Sequence, residues 1–182
     1  MIPAYLRLQL VCVTATIALF AGALAVNEWL FKQLEFVPGI NWVYLPAGLR
    51  LLCTLLFAEA GAVGLLLVSW AAGYLLVFPH QFDRAFWGGI LATVAPYGVY
   101  LAARHGWGLQ ASLANLTPRR LLVLCVACAL ASPLLHHVYF ALRGQQDLWR
   151  SFVAMFVGDL SGTLIVVYTV KGLLALAARP AA

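Results

Sequence analysis

Six long apolar runs, divided by short stretches that carry most of the charge, constrain this chain more than any other feature. A bilayer core is crossed by about 20 apolar residues in a helix, and the runs at 8–31, 44–58, 60–78, 86–103, 119–141 and 151–178 have that character. Composition agrees, since 64% of the 182 residues are hydrophobic and 9% are charged, a balance outside that of soluble domains. The fold class that follows is all-α, a polytopic transmembrane helical bundle of about six helices, with residues 1–182 forming a single integral membrane domain. The second run is short and carries Arg50. It reads either as half-inserted or as continuing into the third through the Glu59-Ala60-Gly61 turn, so counts of five or seven stay open.

The first run follows Arg7 and passes Ala21-Gly22-Ala23-Leu24-Ala25, a small-residue stretch of the kind signal peptidase cuts. Apolar sequence continues through Val26 and Trp29 to Phe31, long enough to span, so an uncleaved first helix is expected. Trp29, Trp42, Tyr44, Trp87, Trp107 and Trp149 lie near the ends of runs, where amphipathic rings settle at headgroup depth. With six spans, Arg7, Arg104, Arg119, Arg120 and Arg179 fall on one side and Lys32, Arg84, Arg143 and Arg150 on the other. The positive-inside rule then places both termini in the cytoplasm. In the longest connection, 104–118, Leu109, Leu113 and Leu116 recur at helical spacing and predict a short interfacial helix, with Thr117-Pro118 as cap and first turn of the next span.

The net charge of +5 comes from basic residues scattered singly, with no continuous basic stripe, which argues for anionic lipid and against nucleic acid as the partner. Cys12, Cys53, Cys125 and Cys128 all lie in apolar runs and behave as small hydrophobes, so no disulfide framework is implied. Cys125-x-x-Cys128 on an apolar helix reads as packing. His136 and His137, as neighbours on a helix, point about 100° apart and cannot both reach one metal. No cofactor or metal site is expected. Catalytic Ser/His/Asp order, paired carboxylates and phosphate loops are all missing from the sequence, and a non-enzymatic protein is expected.

An ionisable side chain at membrane depth costs about 2.5 to 3.5 kcal/mol on insertion scales, so each is a functional candidate. Four qualify: Arg50, Glu59, Asp159 and Lys171. Glu59 falls at a helix end and Lys171 can snorkel to the interface, which explains both. Arg50 follows Pro46 and Gly48 in LPAGLR: the proline suits a first helical turn and the glycine admits a neighbouring backbone. Asp159 lies in FVGDLSGTL, where Gly158 and Gly162 form a small-residue face beside Ser161 and Thr163. A carboxylate there must be paired or protonated, and Arg50 is its expected partner. The pair could serve ligand sensing and transmission, or only pin the second helix to the last.

NWVYLPAGLRLL at 41–52 and GDLSGTLIVVY at 158–168, with ANLTPRRLL at 114–122 between them, resemble the first type of bacterial membrane-associated sensor domain. The resemblance covers most of residues 26–174. It implies an inner-membrane helical bundle that senses a signal and passes it to a cyclase or kinase output domain. These 182 residues are shorter than the family's usual eight-helix bundle and include no output domain, so a separate partner membrane protein or a homo-oligomer is expected to carry the signal. Arg50, Asp159, Pro46, Gly48, Gly158 and Gly162 are the expected ligand-binding or transmission residues, for an unknown small ligand. Two other readings are a small transporter or its substrate-binding subunit, which short spans and intramembrane charges also suit, and an accessory scaffold of a larger membrane complex.

Overall fold

The computed structural model describes residues 3–177, and in it the apolar runs condense into five helices, each long and apolar enough to cross a membrane. α1 (Ala4–Phe31) leads through a 3₁₀ turn into a two-stranded antiparallel hairpin, β1 (Glu35–Val37) and β2 (Ile40–Asn41). α2 (Leu45–Ala72) continues into a π-helical turn (Gly73–Val77), and α3 (Phe82–Trp107), α4 (Pro118–Leu142) and α5 (Leu148–Ala177) follow. Each bound lies within a few residues of the sequence expectation. Arg179 and the last residue of the expected sixth span lie outside the described residues.

The second and third apolar runs are both contained in α2, which reverses direction at Ala58, where φ is 47° and ψ −119°. Along a straight helix Cys53 and Gly61 would stand about 12 Å apart, yet a Cβ on Gly61 would collide with the Cys53 carbonyl. The limbs 45–57 and 59–77 are therefore antiparallel, and Gly61 is the residue whose missing side chain lets them close. The first limb, about 20 Å long at about 1.5 Å per residue, falls short of a bilayer core of about 30 Å, while the second nearly matches it. Both limbs lean on α1: Leu49 and Leu65 gather with Val68 around Phe20 and Ile17, and Gly64 abuts Val13 and Thr16. The half-inserted second helix and its continuation through the Glu59 turn are thus one feature.

This reversal sets the topology. Gly39 in the β1–β2 turn lies against Phe78, so the exit of α2 comes back to the face at which α1 ends. α3, α4 and α5 then alternate, with Asp83 at the start of α3 paired to Arg143 at the end of α4. Residues 3 and 177 consequently lie at one face, here called the terminal face, and the β-hairpin at the opposite, distal face.

The expected interfacial helix after α3 is not formed. Residues 108–117 are turns, and Leu109, Leu113 and Leu116 fold inward onto a cluster of Leu51, Leu55, Tyr100, Ala103, Leu124, Cys125 and Cys128. Gly108, in a left-handed conformation, ends α3 and turns the chain so that Leu109 becomes 4% exposed. Burying the three leucines at once outweighs the single stripe that a helix would lay on the interface. The Thr117 hydroxyl does accept from the Arg120 amide at 3.3 Å, with Pro118 in the first turn as expected. Cys125 and Cys128, both free thiols, are core residues of this cluster. Outward positions such as Leu8, Val11, Leu67, Val94, Leu134 and Leu173 are apolar and exposed, as lipid-facing residues are.

Candidate ligand-binding cavity

At the distal end the helices do not close on one another. They surround a cavity of about 100 Å³ to which α1 contributes Phe20 and Leu24, α2 Arg50 and Ser69, α3 Arg84 and Gly88, α4 His136 and Tyr139, and α5 Met155 and Asp159. Residues 38–41 of the β-hairpin and Tyr44 form its remaining wall. A wider hollow of about 600 Å³ lies outside it and shares Arg84, Tyr139 and Phe140 with it, so those three residues stand at the mouth. Below it, a void of about 10 Å³ between Arg50, Asp159, Ser132 and Thr163 is at the lower limit for one water molecule.

The two sequence motifs meet here, through backbone as well as side chains. A Cβ on Gly158 would strike the Asn41 carbonyl, and one on Gly162 the Tyr44 carbonyl. The expected small-residue face of α5 thus receives the extended chain that leads into α2. The Tyr44 amide donates to the Gly158 carbonyl at 3.0 Å, and the Ser161 hydroxyl to the Trp42 carbonyl at 3.2 Å. Asn27 of α1 caps the same junction, its side-chain oxygen accepting from the Leu45 amide at 2.8 Å. One turn on, Pro46 is buried within the first turn, and Gly48 faces α5, where a Cβ would come within 3.1 Å of the Thr163 Cα. These contacts fix where Arg50 enters the bundle. They also show why α1 belongs to the fold: its residues 20, 24 and 27 build the cavity and the junction.

The expected Arg50–Asp159 ion pair is not formed. Among the described residues only Arg143 and Asp83 approach within ion-pair distance, and both are exposed. Arg50 instead lies between aromatic faces, 5.5 Å from the Phe20 ring centre and 5.1 Å from that of Tyr44, and its Nη2 donates to the Tyr44 hydroxyl at 3.4 Å. Tyr44, expected as an interfacial anchor, is therefore a partner of the arginine. Asp159, 3% exposed, faces the same cavity and the small void below it. The two charges share a chamber without touching.

Arg84 is the residue that sequence reasoning missed. By sequence it falls among the loop charges, but α3 begins at Phe82 and brings Arg84 to the cavity, 4.4 Å from the Phe78 ring centre and 5.6 Å from that of Phe140. Five buried side-chain polar atoms lack a hydrogen-bond partner among the described residues, and four lie in these spaces: Arg50 Nε, Arg84 Nε and Ser69 Oγ around the cavity, Ser132 Oγ at the void. Buried polar atoms are paired in the great majority of cases, so a cluster of orphans marks a place where something else is meant to supply partners.

The remaining candidates resolve into structure. His136 lines the cavity while His137 turns away to Ser151, Nε2 to Oγ at 2.9 Å, tying α4 to α5. Glu59, exposed at the α2 turn, accepts from the Tyr97 hydroxyl at 3.5 Å, and Lys171 is exposed near the end of α5. The distal ion pair also has an electrostatic signature, since the Tyr139 hydroxyl and the Asp83 carboxylate raise the Arg143 pKa and hold it charged. Comparison with protein-family models, with curated proteins and with solved structures gives no match.

Proposed function

We propose that this chain is a non-enzymatic membrane receptor that binds a small ligand in the distal cavity and passes the event to a separate membrane protein. The observation that carries it is the convergence of unpartnered buried polar atoms from α2 and α3 on one open chamber built by all five helices. A bundle selected only for stability would satisfy or remove such groups. Occupancy has an evident route to the rest of the molecule. Arg50 and Asp159 sit on the two elements joined at the 41–45 junction, so a ligand that favours one spacing of α2 and α5 over another shifts that equilibrium by its differential affinity.

The resemblance of the LPAGLR and GDLSGTL motifs to bacterial membrane-associated sensors supports the same reading, because both motifs border the cavity. Arg7, Arg104, Arg119 and Arg120 lie toward the terminal face, against Lys32, Arg143 and Arg150 at the distal face, where Arg84 lines the cavity. The positive-inside rule then puts the terminal face in the cytoplasm of a bacterial inner membrane and opens the cavity to the other side. A second reading, the substrate-binding subunit of a transporter, is favoured by one observation: a helical limb too short to span carries a charge into a chamber between the helices, as broken helices do in transporter sites.

Gly88 provides the test, since it lines the cavity and a Cβ there would meet no protein atom within 4 Å. Native mass spectrometry of the wild type should show a co-purifying small molecule, and Gly88→Leu should lose it while keeping the melting temperature. Retention by Gly88→Leu, or a wild type that carries nothing and stabilises with no small molecule in a screen, would overturn the proposal. A kinase or cyclase that co-purifies favours the sensor, an ATPase the transporter subunit.

A further inference from the structure

Resting on the reading of the cavity as a binding site, we infer that its ligand is a monoanion with a planar carboxylate head on a small apolar body. Arg50 and Arg84 both face the chamber, and neither has a carboxylate within ion-pair distance. Each instead has its guanidinium carbon within about 6 Å of two ring centres, Arg50 beside Phe20 and Tyr44, Arg84 beside Phe78 and Phe140. Contact with aromatic rings restrains a guanidinium without using up its N–H donors, and a guanidinium fork can bind a carboxylate through two parallel hydrogen bonds. The Nε of both arginines is buried and unpartnered, so each fork lacks a bond that a ligand oxygen would complete.

Charge and size narrow the class. The ionisable groups facing the chamber are Arg50, Arg84, Asp159 and His136, with the phenols of Tyr44 and Tyr139. With the imidazole neutral, two guanidiniums and one carboxylate leave a single positive charge, which one negative charge cancels; a dianion would meet Asp159 unfavourably. The volume of about 100 Å³ is below the roughly 150 Å³ of a cavity that holds benzene. The part of the body inside is thus smaller than a benzene ring, and the rest of a ring or of a longer tail must extend into the outer hollow. A carboxylate of this kind could come from the aqueous phase as an aromatic acid or from the bilayer as a fatty acid. The recognition chemistry is the same.

The test is a thermal-shift titration of the full chain in a neutral detergent with benzoate, octanoate, benzamide, octanol and phenyl phosphate. Benzoate, octanoate or both should raise the melting temperature saturably, and which of them does so distinguishes the aqueous from the bilayer source; the neutral analogues should not. Arg50→Lys and Arg84→Lys, which keep the charge and lose the fork, should each weaken carboxylate binding at least about tenfold, whereas Asp159→Asn should tighten it. Equal shifts from benzamide and benzoate, a stronger shift from phenyl phosphate, or indifference to both lysine variants would overturn the inference. If no carboxylate binds although the wild type carries a molecule that Gly88→Leu loses, the anion class is wrong and the binding site stands.

Discussion

The two ends of the bundle are built from the same helices and could hardly differ more in how they are filled. Toward the terminal face, Leu51, Leu55, Tyr100, Ala103, Leu109, Leu124, Cys125 and Cys128 close into a packed apolar cluster, with a loop folded over it. Toward the distal face, the next turns of α2, α3, α4 and α5 present Arg50, Arg84, His136 and Asp159 to a chamber that protein does not fill. Neighbouring residues can belong to opposite regimes: Arg50 faces the chamber and Leu51, 0% exposed, the packed cluster. In lipid, where apolar side chains gain little by leaving their surroundings, close packing is what holds helices together. One end of this molecule therefore supplies stability, and the other uses it to keep charges in an unfavourable place.

That contrast can be broken most sharply at the junction on which both ends depend. Gly162→Leu drives a side chain into the Tyr44–Leu45 backbone, which cannot move without carrying α2 off α5. The loss should be about 3 kcal/mol or more, seen as aggregation on size-exclusion chromatography and absence of a cooperative melt. Leu124→Ala, in the packed cluster and 1% exposed, should cost about 2 to 4 kcal/mol through the void it leaves, read as a lowered melting temperature with ligand affinity unchanged. Arg143→Met removes the exposed pair with Asp83 and should leave the melting temperature within error, because screened surface pairs contribute little. A large effect there would mean that the mouth of the cavity is held by that pair.

The apolar runs, their number and most of their bounds were legible because helix length against bilayer thickness is a strict rule. The place of Pro46, Gly48, Gly158 and Gly162 was legible too, since small residues in a membrane helix mark close approach. What escaped was rotation. A helix that is apolar around its whole circumference has no period to say which side faces in, so Arg84 was indistinguishable from a loop charge and Tyr44 from an interfacial anchor. The pairing of Arg50 with Asp159 failed for a related reason. Sequence brings the two elements together, but whether a guanidinium turns to a carboxylate or to the rings of Phe20 and Tyr44 depends on side chains contributed by α1 and by the chain before α2. The leucines at 109, 113 and 116 have helical spacing that their burial beneath the loop overrides.

The central claim is that Arg50 serves binding at the expense of stability, and Arg50→Met tests it most directly. Methionine fills a similar volume without the charge. Losing the stacking on Phe20 and Tyr44 should cost about 1 to 2 kcal/mol. Arg50 is half-buried, and relief from its buried, unpartnered Nε and from a charge with no carboxylate partner should exceed that cost. The melting temperature of ligand-free Arg50→Met in neutral detergent should therefore lie above that of the ligand-free wild type. A melting temperature lowered as far as that of Leu124→Ala would show that the arginine holds the bundle together, and would contradict the account.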